Sequence, residues 1–99
     1  MIGSVASKAT EDIFHGRNTR AARSACPRSL WSVAARKLDQ LDSAESIDDL
    51  RIPPGNRLEK LSSDRAGEYS IRINDQWRVV FRWQGGAAHD VAVVDYHAG

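Results

Sequence analysis

At Pro53-Pro54-Gly55 the periodicity of this chain changes, and that change constrains the fold more than any other feature. Upstream, Leu30, Val33, Ala34, Leu38 and Leu41 recur at spacings of three and four, the apolar stripe of an amphipathic helix. Downstream, the apolar residues alternate singly. Tyr69, Ile71 and Ile73 alternate with Ser70 and Arg72. After the turn residues Asn74 and Asp75, Trp77, Val79, Phe81 and Trp83 alternate with Arg78, Val80 and Arg82. Gly85-Gly86 make a second turn, and Val91, Val93 and Asp95 alternate with Ala92, Val94 and Tyr96. A period of two interrupted by short turns is the pattern of antiparallel hairpins with one buried face. Helices followed by a meander predict an α+β domain, with the N-terminal helices packed on a mainly antiparallel, twisted β-sheet. A chain of 99 residues holds one hydrophobic core, so residues 1–99 are read as a single domain.

Finer signals extend this outline. Ser7, with Glu11 and Asp12 behind it, reads as the cap of a short helix whose apolar face is Ala9, Ile13 and Phe14, and Gly16 ends it. Residues 17–28 are polar and basic, and Pro27 suits the first turn of the following helix. A further turn is expected over Ser46–Leu50, where Ser again precedes acids. Ile2, Val5 and Ala6 are compatible with a brief strand, and Arg57–Leu61 with a fourth strand or a loop leading into the sheet.

Composition excludes several classes. At 41% hydrophobic and 27% charged residues, the chain is neither a disordered tail nor a membrane protein. No apolar run approaches the roughly 20 residues that span a bilayer, and the N-terminal stretch lacks the pattern of a signal peptide, so the expected location is the cytoplasm. Cys26 is the single cysteine, which leaves it no internal disulfide partner and no companions for a zinc site of ordinary spacing. No glycine-rich phosphate loop and no Ser-His-Asp arrangement of diagnostic spacing is present, so neither a cofactor nor a metal is called for.

The formal charge of +1 conceals an uneven distribution. Residues 17–37 carry Arg17, Arg20, Arg23, Arg28, Arg36 and Lys37 with no acid, and residues 38–50 carry five acids with no base. The first block reads either as a phosphate-facing surface or as a solvated helix face balanced by the second. The strand arginines are more selective. Arg72 is opposite in parity to Tyr69, Ile71 and Ile73, and Arg78 and Arg82 are opposite to Trp77, Phe81 and Trp83. The three are expected on the sheet face away from the core, joined by Arg57 or Arg65 from the connecting segment, where an RNA backbone could lie. An exposed sheet face kept soluble by arginine would show the same pattern.

Asp95, Tyr96 and His97 bring a carboxylate, a phenol and an imidazole together at the end of the last strand. His97 is the first candidate for proton transfer because its side chain titrates near neutrality, and Asp95 could orient it. Glu59, Asp64 and Glu68 are scattered acids with no pattern of their own, although Glu59 lies in a basic segment.

The run Arg51-Ile-Pro-Pro-Gly-Asn-Arg-Leu-Glu59, then Leu61, Asp64-Arg-Ala-Gly67, Ser70-Ile-Arg-Ile-Asn-Asp-Gln-Trp-Arg78 and the closing Asp95-Tyr-His97, strongly resembles the HigB family of killer proteins. The resemblance extends to Lys8-Ala-Thr-Glu11 and to Ala35-Arg-Lys-Leu38, and so covers nearly the whole chain. It implies a RelE/ParE-superfamily toxin of a type II toxin-antitoxin module. Such a toxin enters the ribosomal A site and cuts mRNA without a metal, by attack of a ribose 2′-OH on its own 3′-phosphate. Its implied partners are a HigA-type helix-turn-helix antitoxin, the ribosome and mRNA, with operator DNA reached only through the antitoxin. By the same resemblance Asp95, Tyr96, His97 and Arg78 are the catalytic candidates. Glu59 joins them as a candidate base where some relatives have a His, and Ser62 stands where some have a Lys. Arg57, Arg65, Arg72 and Arg82 are the candidate phosphate contacts. The related ParE toxins inhibit gyrase without cutting RNA, and a weak toxin acting mainly as antitoxin partner in operon autoregulation is a further alternative.

Overall fold

A computed structural model describes residues 1–95. Helix α1 spans Lys8–Phe14, with Ser7 as its cap: the Ser7 hydroxyl accepts from the Thr10 N–H at 3.2 Å, and Gly16 follows with φ 70°. A second helix, α2, spans Arg20–Ala25. It lies within the basic stretch from which sequence periodicity drew no helix, because its six residues present only Ala22 to the core. Its start is fixed by Thr19, whose hydroxyl accepts from the Ala22 N–H and donates to Asp12 at 2.7 Å. Asp12 is fully buried and also receives Lys8 Nζ at 2.9 Å and Arg17 Nη1 at 3.5 Å, so one carboxylate ties α1 to the cap of α2.

Pro27 precedes a 3-10 turn, Arg28–Leu30, that runs directly into α3, Trp31–Ser43. Ala34, Leu38 and Leu41 are fully buried on α3, and each Leu stabilises the fold by about 1.5–3 kcal/mol through its burial. A 3-10 turn at Ile47–Arg51 carries the capping box of Ser46 and Asp49. Pro54–Asn56 forms one more 3-10 turn, after which the sheet begins.

The sheet consists of β1 (Glu59–Lys60), β2 (Glu68–Arg72), β3 (Trp77–Gln84) and β4 (Ala87–Asp95), all antiparallel in the order β1-β2-β3-β4. Ile71, Val79, Phe81, Val91 and Val93 face the helices and close the core with Ile13, Leu38 and Leu41. A bulge interrupts the β3–β4 ladder between Val80 and Arg82, and Asp90 there adopts φ 52°. The extra residue shifts parity, which is why Ala88 and Val91, three apart, are both fully buried.

The outer edge of β4 is covered. Ile2 and Val5 form parallel bridges to Ala88 and Val91, and the Val93 N–H donates to the buried Thr10 hydroxyl. The expected short N-terminal strand is thus realised as an edge guard, which removes unpaired strand groups from solvent. Among the described residues no helix is long and apolar enough to cross a membrane.

Candidate functional site

The sheet face opposite the helices carries the strand arginines in the register that alternation predicts. Arg72 pairs directly with Arg78, Ser70 with Val80 and Glu68 with Arg82. These side chains do not form one cluster. Arg82 is four residues from Arg78 along β3, about 13 Å in an extended strand, and its guanidinium pairs with Asp90 at 2.9 Å. Arg65 pairs with Glu68 at 3.1 Å. That end of the face is a row of neutralised charge.

The other end is a cleft of about 230 Å³ lined by Arg57, Arg72, Asn74, Asp75 and Arg78. Its arginines come from three segments. Arg57 follows the Pro54–Asn56 turn in the left-handed conformation with φ 44°, while Arg72 ends β2 and Arg78 is the second residue of β3. The turn between the strands is held by Asn74, whose side-chain oxygen accepts from the N–H groups of Gln76 at 2.9 Å and Trp77 at 2.8 Å.

Arg78 is the most constrained of the three, with its side chain 13% exposed. It donates to Ser70 Oγ at 2.8 Å, to Glu59 Oε1 at 3.2 Å and to the Arg57 carbonyl at 3.3 Å. Those bonds aim a rigid guanidinium along the floor of the cleft. Arg72 is paired with Asp75 at the turn. Arg57 is exposed, and among the described residues its guanidinium makes no hydrogen bond or ion pair. Three guanidiniums around one small cleft, with Asp75 and Glu59 beside them, suit a phosphodiester.

Asp95 is the last residue of β4 and pairs with Trp77, next to the Arg78–Val94 pair. It therefore lies at the cleft end of the sheet but on the helix-side face, and its carboxylate accepts from Gln76 Nε2 at 3.0 Å. Tyr96 and His97 lie outside the described residues. Glu59 is 51% exposed and reaches the cleft through its ion pair with Arg78. Among the described residues no group of three or more His, Cys, Asp or Glu side chains could hold a metal.

Two features escaped sequence reasoning. Lys37, counted there among the surface cations of the 17–37 block, is buried at 8% exposure and donates to Asn56, which is fully buried. Burial, reinforced by the nearby Arg36, holds the Lys37 pKa below its ordinary value. The signal was available, because Lys37 sits three residues after Ala34 and four before Leu41 on the apolar stripe. Ser70, fully buried beneath Arg78, had no such signal.

Residues 7–97 match the family described as the RelE-like toxin of the type II toxin-antitoxin system HigB. Toxin HigB-1 of Vibrio cholerae is 48% identical over 62 residues, 63% of this chain and 65% of the relative. Endoribonuclease HigB of Proteus vulgaris is 33% identical over 61 residues, 62% of this chain and 65% of the relative. The matches thus span just under two thirds of these curated relatives. In three dimensions the chain resembles one in the YoeB-YefM complex from Staphylococcus aureus, with TM-score 0.58, 23% identity and 99% of both chains covered. At that identity the likeness concerns the fold.

Proposed function

This chain belongs to the HigB-like toxins of type II toxin-antitoxin systems, within the RelE/ParE superfamily, and we propose that it is a ribosome-dependent endonuclease that cuts mRNA in the A site. The observation that carries the proposal is the convergence of Arg57, Arg72 and Arg78 on one cleft at the end of the sheet where β4 finishes. One relative bears the name endoribonuclease, which agrees with this reading.

In the proposed reaction the three guanidiniums hold the phosphate on the 3′ side of a ribose. The 2′-oxygen attacks phosphorus as its proton passes to a base, and the P–O5′ bond breaks as an acid protonates the departing oxygen. The products are a 2′,3′-cyclic phosphate and a 5′-hydroxyl. The arginines supply the positive charge that the dianionic transition state requires, so the reaction as proposed uses no metal or cofactor. His97, Tyr96 and Glu59 are the proton-transfer groups, with Asp95 orienting His97. Arg65 and Arg82, each paired at the far end of the face, are assigned to contacts further along the RNA. A HigA-type helix-turn-helix antitoxin is the proposed partner and carries the contact with operator DNA, and the cytoplasm is the proposed place of action.

The test adds purified protein to a translating extract and maps reporter mRNA ends. Codon-associated cuts are expected, and they should be lost in Arg78→Ala and in a His97→Ala, Tyr96→Ala double variant. Intact mRNA with gyrase-dependent DNA breaks would replace this reading with a ParE-like one.

A further inference from the structure

The connection that carries Arg57 into β1 at Glu59 has little regular structure of its own, and its shape is set from beneath. The Lys37 ammonium, on α3, donates to Asn56 Oδ1. Asn56 Nδ2 donates in turn to the Leu50 carbonyl at 3.1 Å and Gln40 Oε1 at 3.2 Å, and the Asn56 N–H to the Pro53 carbonyl at 2.9 Å. With Asn56 fixed, the next residue is fixed too. Arg57 takes its left-handed backbone, an unfavourable conformation for arginine, and its N–H donates to the Pro54 carbonyl at 3.1 Å. Its own carbonyl then faces the cleft and accepts from Arg78 Nη1. Two hydrogen bonds joined by the Asn56–Arg57 backbone thus link α3 to the guanidinium on the cleft floor.

A buried ammonium bonded to a neutral amide is an unfavourable way to hold a loop, since the amide dipole offsets only part of the water that the charge gives up. A methionine at position 37 together with an apolar residue at 56 would pack with Ala34, Leu38 and Leu41 and carry no such penalty. The pair is also buried where no RNA could touch it. We infer that Lys37 and Asn56 are positioning residues that hold Arg57 in its left-handed conformation and thereby aim Arg57 and Arg78 at the phosphate. The inference rests on the RNA-binding reading of the cleft and concerns what gives the cleft its geometry.

A double-mutant cycle in the full chain tests it. Lys37→Met removes the donor and keeps an unbranched side chain. The probe is an RNA trinucleotide with a 2′-O-methyl group on the central ribose, which can bind but not be cut. Lys37→Met should weaken binding about tenfold in the wild-type background and only about threefold in an Arg57→Ala background, where the guanidinium of residue 57 is gone but its carbonyl still meets Arg78. Gln40→Leu, at a half-exposed position, removes one acceptor of Asn56 and should give the same non-additivity on a smaller scale even if Lys37→Met does not fold. Equal losses in both backgrounds, or no loss in the first, would overturn the inference, as would failure of the wild-type protein to bind the trinucleotide. Binding that follows the cycle while mRNA stays whole in a translating extract would defeat the cleavage reading and leave this inference standing.

Discussion

Arg72 and Arg78 stand directly opposite each other across the β2–β3 ladder, on the sheet face turned away from the helices. Two like charges in facing positions cost about 0.2–1 kcal/mol relative to neutral neighbours. Ser70 and Glu59 draw the Arg78 guanidinium toward β1, and Asp75 draws Arg72 toward the turn, so the pair is spread around a cleft.

Arg72→Thr is accordingly expected to keep stability or raise it by about 0.5 kcal/mol, because the facing charge disappears and threonine suits a strand. The lost Arg72–Asp75 pair weighs little, Asp75 being 96% exposed. Affinity for RNA should fall about tenfold. Urea midpoints beside trinucleotide titrations decide the matter, and a stability loss above about 1 kcal/mol would contradict the prediction.

Arg78 is a different case, because among the described residues one guanidinium serves three acceptors at once. A lysine is a point donor that cannot span them. Arg78→Lys should fold with a loss of about 1–2 kcal/mol and slow single-turnover mRNA cleavage at least about 100-fold. Near-normal cleavage by this variant would show that charge alone suffices.

Asp12 makes stability depend on acidity. The Lys8 ammonium, then the Thr19 hydroxyl, hold its carboxyl below the usual range, burial opposes them, and Lys8 charge and Arg17 add to the lowering. A folded-state pKa depressed below the unfolded value contributes stability that is complete above the unfolded value and is lost as pH falls through the folded one. Asp49, lowered by the N–H groups of Glu45 and Ser46, acts in the same sense. Urea midpoints measured from pH 7 downward should therefore fall in the acid range, and Asp12→Asn should be less stable at neutral pH with a shallower acid slope. An unchanged slope in the variant would remove Asp12 from the account.

At the bulge, Asp90 combines a left-handed backbone with an exposed ion pair to Arg82. Glycine relieves the backbone by up to about 1 kcal/mol, and the exposed pair is worth at most about the same. Asp90→Gly should leave stability within about 0.5 kcal/mol of the parent, while Asp90→Val, with its branched Cβ, should lose at least about 1 kcal/mol. Calorimetric melting of the two variants checks the contrast.

Much of this arrangement is legible in the chain itself. The change of period at Pro53-Pro54-Gly55 separates the helices from the meander, and the parity of Arg72, Arg78 and Arg82 assigns them correctly to the face away from the core. Parity says nothing about position along a strand. Arg82 shares the face, but its four-residue spacing from Arg78 along β3 and its pairing with Asp90 across the bulge keep it out of the cleft. Helix α2 was hidden because it owes its existence to a cap and a buried carboxylate rather than to an apolar stripe. The burial of Lys37 is legible in its place on the apolar stripe between Ala34 and Leu41, but its acceptor, Asn56, nineteen residues away in sequence, is not.

The most direct test of RNA cleavage at the arginine cleft uses programmed ribosomes with two mRNAs that differ at one atom. The site of cutting is first mapped on all-ribose mRNA, and the nucleotide on its 5′ side is then replaced by its 2′-deoxy form. The account predicts a cut with a 2′,3′-cyclic phosphate end on the first mRNA and none at that site on the second, with Arg78→Ala inactive on both. Equal cutting of the two mRNAs, or no cutting of either by the wild-type protein, would contradict it.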